Sequence, residues 1–223
     1  MYRYAMGKIS ENLKHKSAYF SVHDIGDEEI VAYYEKTMNS ICVEEGVPPI
    51  TPTTVDEEGN TILFHMIGDG ITTMVPLMVQ MGYDPLHRNF RHESLLHVAC
   101  NHCLLNTKPL SEVLELIDGV SAYASWNDED SQGCTPLFNI VQMHERWKNM
   151  ASLYQVRNWA IDTVAVIEKA IAEGANPHHR DHNGNTFVST STSECLEPFQ
   201  SLIQKQIIEQ NVSSIHARVA RKM

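Results

Sequence analysis

Apolar residues recur three or four apart along most of the chain, the spacing of one buried helix face. Ile30, Tyr34, Met38 and Ile41 mark such a face on a helix predicted from Asp27 to Glu45, with Asp27-Glu28-Glu29 as its cap and first-turn acids. Residues 1–24 are weakly patterned, with Ile9, Leu13 and Lys16 on one short helical face, and Pro48-Pro49-Ile50-Thr51-Pro52 later breaks the chain. Leu63, Phe64 and Ile67, then Val75, Met78 and Val79, predict a helix pair. Pro76 opens its second member, where a missing N–H costs little. Leu95, Leu96, Val98 and Ala99, then Val113, Leu114, Leu116 and Ile117, predict a second pair, in which small Ala99 lets the helices approach. A third starts at Thr135-Pro136, runs on through Val141, Met143, Trp147, Met150 and Tyr154, and returns through Trp159, Val164, Ile167 and Ile171. The stretch Ser189–Glu194 is polar and rich in weak helix formers. Phe199, Leu202, Ile203, Ile207, Ile208, Val212, Ile215 and Val219 then form one long apolar stripe.

The segments between the pairs share a pattern. In Gly174-Ala175-Asn176-Pro177-His178-His179-Arg180-Asp181-His182-Asn183-Gly184-Asn185-Thr186, Gly174 suits a helix end with positive φ. Asn183-Gly184 suits a tight turn, and Thr186 suits an N-cap. Related pieces are Asp56-x-x-Gly59-Asn60-Thr61-Ile62-Leu63, Ser94-Leu95-Leu96-His97-Val98-Ala99 and Asp130-x-x-Gly133-Cys134-Thr135-Pro136-Leu137-Phe138. Helix-ending glycines are placed at Gly46, Gly82, Gly119 and Gly174, and helix starts at Thr61, Ser94, Thr135 and Thr186. At these residues the chain resembles the ankyrin repeat family, which runs from Gly-Ala through Asp-x-x-Gly at a hairpin tip to Thr-Pro-Leu-His-x-Ala. The shortest glycine-to-threonine and threonine-to-glycine spacings together give 33 residues, the period of that repeat.

The resemblance implies an all-α fold: an ankyrin repeat solenoid of about four degenerate repeats with helical N- and C-terminal caps. Residues 1–55 would form the N-terminal cap or degenerate repeat and 56–196 the repeats. The third would carry a helical insertion over about 142–160, and 197–223 would be the C-terminal capping helix. Also implied is a concave surface of finger tips and inner helices that binds a partner protein, regulating, inhibiting or tethering it. Carried over by position, the finger contacts are Glu57, Glu58 and Asn60; Phe90, Arg91 and Glu93; Ser131, Gln132 and Cys134; and His182, Asn183 and Asn185. From the inner helices come Asp69, Asn101, His102, Gln142 and Met143. Trp126, in the lengthened third finger, is expected to be the binding hot spot. The aromatics of the third copy either pack on one another in an extended hairpin or expose an anchor for the partner. The C-terminal helix is read as a cap or, alternatively, as a means of self-association.

Composition narrows the classes. A formal charge of −11 repels nucleic acid phosphates. No apolar run reaches the length of a secretory leader or membrane span, and five cysteines scattered over helical segments fit buried thiols in the cytoplasm better than a disulfide framework. His97, Cys100, His102 and Cys103 are metal-ligand types without a zinc spacing, because His102 and Cys103 project away from the side shared by His97 and Cys100. His97 also matches the histidine that the family uses between fingers. No phosphate-binding glycine loop or nucleophile elbow occurs. The expectation is therefore a non-catalytic protein without cofactor or metal, with no nucleic acid or membrane partner. The alternatives are an enzyme or ligand sensor with a pocket beside the third copy, and an assembly subunit joined through the C-terminal helix. Acidic clusters at Asp56-Glu57-Glu58 and Asp128-Glu129-Asp130, with Arg88 and Arg91 between them, are read as solvated groups facing the partner.

Overall fold

The computed structural model describes residues 2–23, 26–105, 110–142 and 159–190, and the side chains of 2–16, 26–101, 110–142 and 163–190. The regular structure in them is helical, with no strand among the described residues. The elements are α1 (Tyr2–His23), α2 (Asp27–Glu45), α3 (Ile62–Gly68), α4 (Val75–Gln80), α5 (Leu95–Leu105), α6 (Leu110–Ser121), α7 (136–142) and α8 (Trp159–Ala172). Helices α1, α3 and α5 form a row in which α3 touches both others, while α2 packs on α1 and α6 on α5.

One core runs through these layers. Ala5, Met6, Ile9 and Leu13 are wholly buried on α1, with Tyr34, Ile41 and Cys42 behind them on α2. Leu63, Met66 and Ile67 of α3, Leu96, Ala99 and Cys100 of α5, and Leu137, Phe138 and Ile140 of α7 continue it. Val79, Val98 and Leu114 pack on it while half-buried. Tyr34 and Tyr83 meet edge to face, their hydroxyls 2.8 Å apart, and join α2 to the end of α4.

Several expectations change. The N-terminal stretch forms a 22-residue helix, not a short one. Its lysines and its small Ala5 weaken the hydropathy signal, yet Ala5, Met6, Ile9 and Leu13 share one face. The N-cap of α2 is Gly26, without a side-chain bond, which leaves Asp27, Glu28 and Glu29 inside the first turn against the helix dipole. Gly46 and Gly174 do end helices in the left-handed region, with φ of 64° and 97°. Gly119 does not, since α6 continues to Ser121. A Cβ there would lie 2.7 Å from that of Thr72, so this glycine lets the segment after α3 approach α6. The third pair between 143 and 158, Met143 included, and the C-terminal stripe from Phe199 lie outside the described residues, while the pair's return from Trp159 is α8. Of the polar stretch before the stripe, Ser189 and Thr190 belong to a turn and the rest lies outside.

Four turns connect the layers, and each is held by the same set of bonds. In the first, Asp56 Oδ1 accepts the N–H groups of Glu58 and Asn60 at 2.9 and 2.8 Å. Asn89 Oδ1 accepts those of Arg91 and Glu93, Asp130 Oδ1 those of Gln132 and Cys134, and Asp181 Oδ1 those of Asn183 and Asn185. The residue three positions after each acceptor takes positive φ: Gly59, His92, Gly133 and Gly184. A left-handed residue costs a side chain about 1–2 kcal/mol, and the second turn carries that cost at His92. Consecutive turns are joined backbone to backbone by Phe90 N–H to Glu58 C=O, Ser131 N–H to Arg91 C=O and His182 N–H to Gln132 C=O, at 2.8–3.0 Å.

Histidines add side-chain links. Nε2–H of His87 donates to Gly59 C=O and that of His179 to Gly133 C=O, each at 2.8 Å. His97 is fully buried. Its Nδ1 accepts from the Ser94 backbone N–H, so Nε2 carries the proton and donates to Cys134 C=O at 3.0 Å.

Candidate functional site

A cleft of about 1120 Å³ opens where one face of α1, the inner faces of α3 and α5, and the first two turns converge. The α1 wall presents Arg3, Tyr4, Gly7, Lys8, Glu11, Lys14 and His15, residues three or four apart and opposite the buried stripe. Six carried-over positions line the cleft: Glu57, Asn60, Asp69, Arg91, Glu93 and Asn101. Glu58 stands at its edge, bound to Arg3 at 2.6 Å.

The remaining positions are dispersed. Phe90, 70 % exposed, sits at the tip of the second turn against Gly59. Ser131 and Gln132 are exposed on the third turn, and His182, Asn183 and Asn185 on the fourth. Gln142 is half-buried at the described end of α7. The side chain of His102, and Met143 altogether, lie outside the described residues.

Three of the expected contacts are spent on the protein itself. Trp126 is 4 % exposed and donates Nε1–H to Glu173 at 2.8 Å, so it is a packing residue and not an exposed anchor. The bulky ring follows α6 and fills the space before the next turn, where burial gains more than exposure. Glu93 is buried and accepts from Asn89 Nδ2 at 2.7 Å and from Arg91 at 3.0 Å. Cys134 is buried as well, and burial, with Asp130 and Asp181 nearby, pushes its thiol up to about 11. That thiol stays protonated at neutral pH, unlike an activated nucleophile.

The alternation of charge along the turns is also mostly internal. Asp56, 4 % exposed, receives two backbone N–H bonds, the Asn60 amide, and Nε2–H of His65 at 3.0 Å. Burial pushes its carboxyl up, but the N–H groups of Asn60 and Glu58, then the side chains of Asn60 and His65, outweigh it and hold it below the usual range. Arg88 pairs with Asp128 at 2.7 Å across adjacent turns. Aspartates whose short side chains satisfy backbone donors belong to the turn, whereas Glu57, Arg91 and Glu129 stay exposed on the surface.

Sequence reasoning missed the α1 wall and Asn89. Polar residues three and four apart, on the face opposite Ala5 and Ile9, were the available signal for the first. For the second it was the alignment of Asn89 and His92 with the Asp-x-x-Gly of the other turns. Burial pushes the His97 imidazole down against smaller effects of Cys134 C=O and neighbouring carboxylates, and both its nitrogens are committed to hydrogen bonds. Neither is left for a metal. No described helix is long and apolar enough to cross a membrane. No protein-family model matches the chain, and no curated protein matches it.

Proposed function

We propose that this chain is a degenerate ankyrin repeat protein that binds another protein through the cleft and the adjoining turn tips, without catalysis of its own. In this reading α1 and α2 belong to an N-terminal capping unit over 1–55. The four turns are fingers of repeats within 56–196, and 197–223 caps the other end. The identical bonding of the turns supports the repeat assignment. The functional assignment is carried by one observation: six positions scattered from Glu57 to Asn101 in sequence line a single cleft. Turns tied to one another by backbone bonds hold such a surface rigid, so binding loses little conformational entropy. The buried thiols Cys42 and Cys134 are free, which fits a reducing cytoplasm.

Photo-crosslinking in the native cell tests this. A crosslinkable residue at Glu57, Phe90 or Gln132 is expected to capture the same protein, while one at Val43, exposed on α2 away from the cleft, captures none of it. Equal adducts at all four positions, or none at any, would sink the proposal.

A further inference from the structure

We infer that the cleft takes a short basic segment of its partner, with Glu11 and Asp69 as charge anchors and Tyr4 as a stacking platform; this rests on the protein-binding reading above. Three cations of the lining are already held by carboxylates, and a fourth has a partner. Arg3 is bound by Glu58 at 2.6 Å, Lys8 by Glu45 at 2.7 Å and Arg91 by Glu93 at 3.0 Å, and Lys14 is engaged too. Glu58 and Glu45 reach in from outside the lining, so these pairs do not use up the cleft's own acids. Glu11, exposed on α1, and Asp69, half-buried at the end of α3, make no side-chain hydrogen bond or ion pair among the described residues. Both line the same cleft, Glu11 from α1 and Asp69 from the end of α3.

Tyr4 supplies a third contact. The residue is 63 % exposed and its ring already carries the Lys8 ammonium 5.4 Å from its centroid, so a π face is turned toward cations on this wall. A planar guanidinium suits both contacts, since it can stack on the ring while its fork meets a carboxylate. The net charge of −11 draws basic partners to the whole molecule, whereas Glu11 and Asp69 give that attraction a location.

The probe is a short fluorescein-labelled peptide alternating Arg and Ala, titrated with the full chain at low ionic strength and followed by anisotropy. Matched peptides carrying Glu or Ser in place of Arg are run alongside. Binding of the Arg peptide alone is expected. The double variant Glu11→Gln/Asp69→Asn should weaken it roughly three- to tenfold, the effect of losing two partly exposed ion pairs. Neither carboxylate makes a side-chain hydrogen bond or ion pair among the described residues, so the urea midpoint of that variant should stay put. Glu28→Gln/Glu29→Gln removes the same charge from the exposed start of α2 and should leave affinity unchanged. Equal weakening by both pairs would reveal attraction to bulk charge, and failure of the Arg peptide to bind would also overturn the assignment. If crosslinks at Glu57 and Phe90 persist in either case, partner binding stands and only the basic segment falls.

Discussion

The first and fourth turns are built from the same bonds and end in different surroundings. Asp181 Oδ1 accepts two backbone N–H groups at 2.9 and 2.7 Å, as Asp56 does at nearly the same distances. Yet Asp56 is buried, and Gly59 lies under the ring and backbone of Phe90, while Asp181 is half-buried and no atom of the described residues lies within 4 Å of a Cβ placed at Gly184. The third turn resembles the first, with His182 over Gly133. Local chemistry suffices to make the turn. The next turn in line decides what each residue in it contributes, because a neighbour converts a conformational preference into a packing constraint.

The largest test of that idea lies where one unit covers another. Trp126→Ala should destabilise by about 3–5 kcal/mol, since it empties a buried site and removes the indole donor from Glu173 Oε2. Chemical denaturation measures this, and a loss below about 1 kcal/mol would mean the ring behaves as a surface residue. Glycine substitutions sharpen the comparison between covered and open turns. Gly184→Ala should cost only left-handed strain, about 1–2 kcal/mol. Gly59→Ala adds a Cβ 2.6 Å from Phe90 Cδ1 and 2.8 Å from its backbone nitrogen, the donor that joins the two turns. Its cost should reach about 2–4 kcal/mol. Equal shifts in urea midpoint for the two variants would show that coverage by the next turn is without energetic consequence.

The smallest effect is electrostatic. Asp56→Asn should keep the turn, since Asn89 performs the same task in the second, and should cost about 0.5–1.5 kcal/mol at neutral pH. The folded carboxyl titrates below its unfolded value of about 3.9. Its contribution is thus complete above that value and is lost as pH falls through the folded one. The stability gap between wild type and variant should close below about pH 4. A gap that stays constant into acid would assign the loss to something other than the charge.

Much of the helical framework was legible because its causes are local. The face of α2, the core positions of α3 and α5, and the glycines at 46 and 174 follow from periodicity and from backbone angles that other residues avoid. The Asp-x-x-Gly turns were legible for the same reason. Asn89 and His92 were not, because Asn and His are individually common and only the three-dimensional match to the other turns reveals their part. Gly119 was read as a helix end because glycine has two uses. A space-filling contact with Thr72 cannot be told from a left-handed cap without the partner segment in view.

From the chain alone came helices, turns and the division of most positions into inside and outside, properties set within a few residues by sterics and hydropathy. Whether Trp126 faces a partner or a core, whether Asp56 and Glu93 meet solvent or donors of their own turns, and that α1 walls one cleft with Glu57 and Asn101, were decided only by the tertiary structure. The physical reason is that burial and pairing depend on segments up to a hundred positions away, and no local rule carries that information.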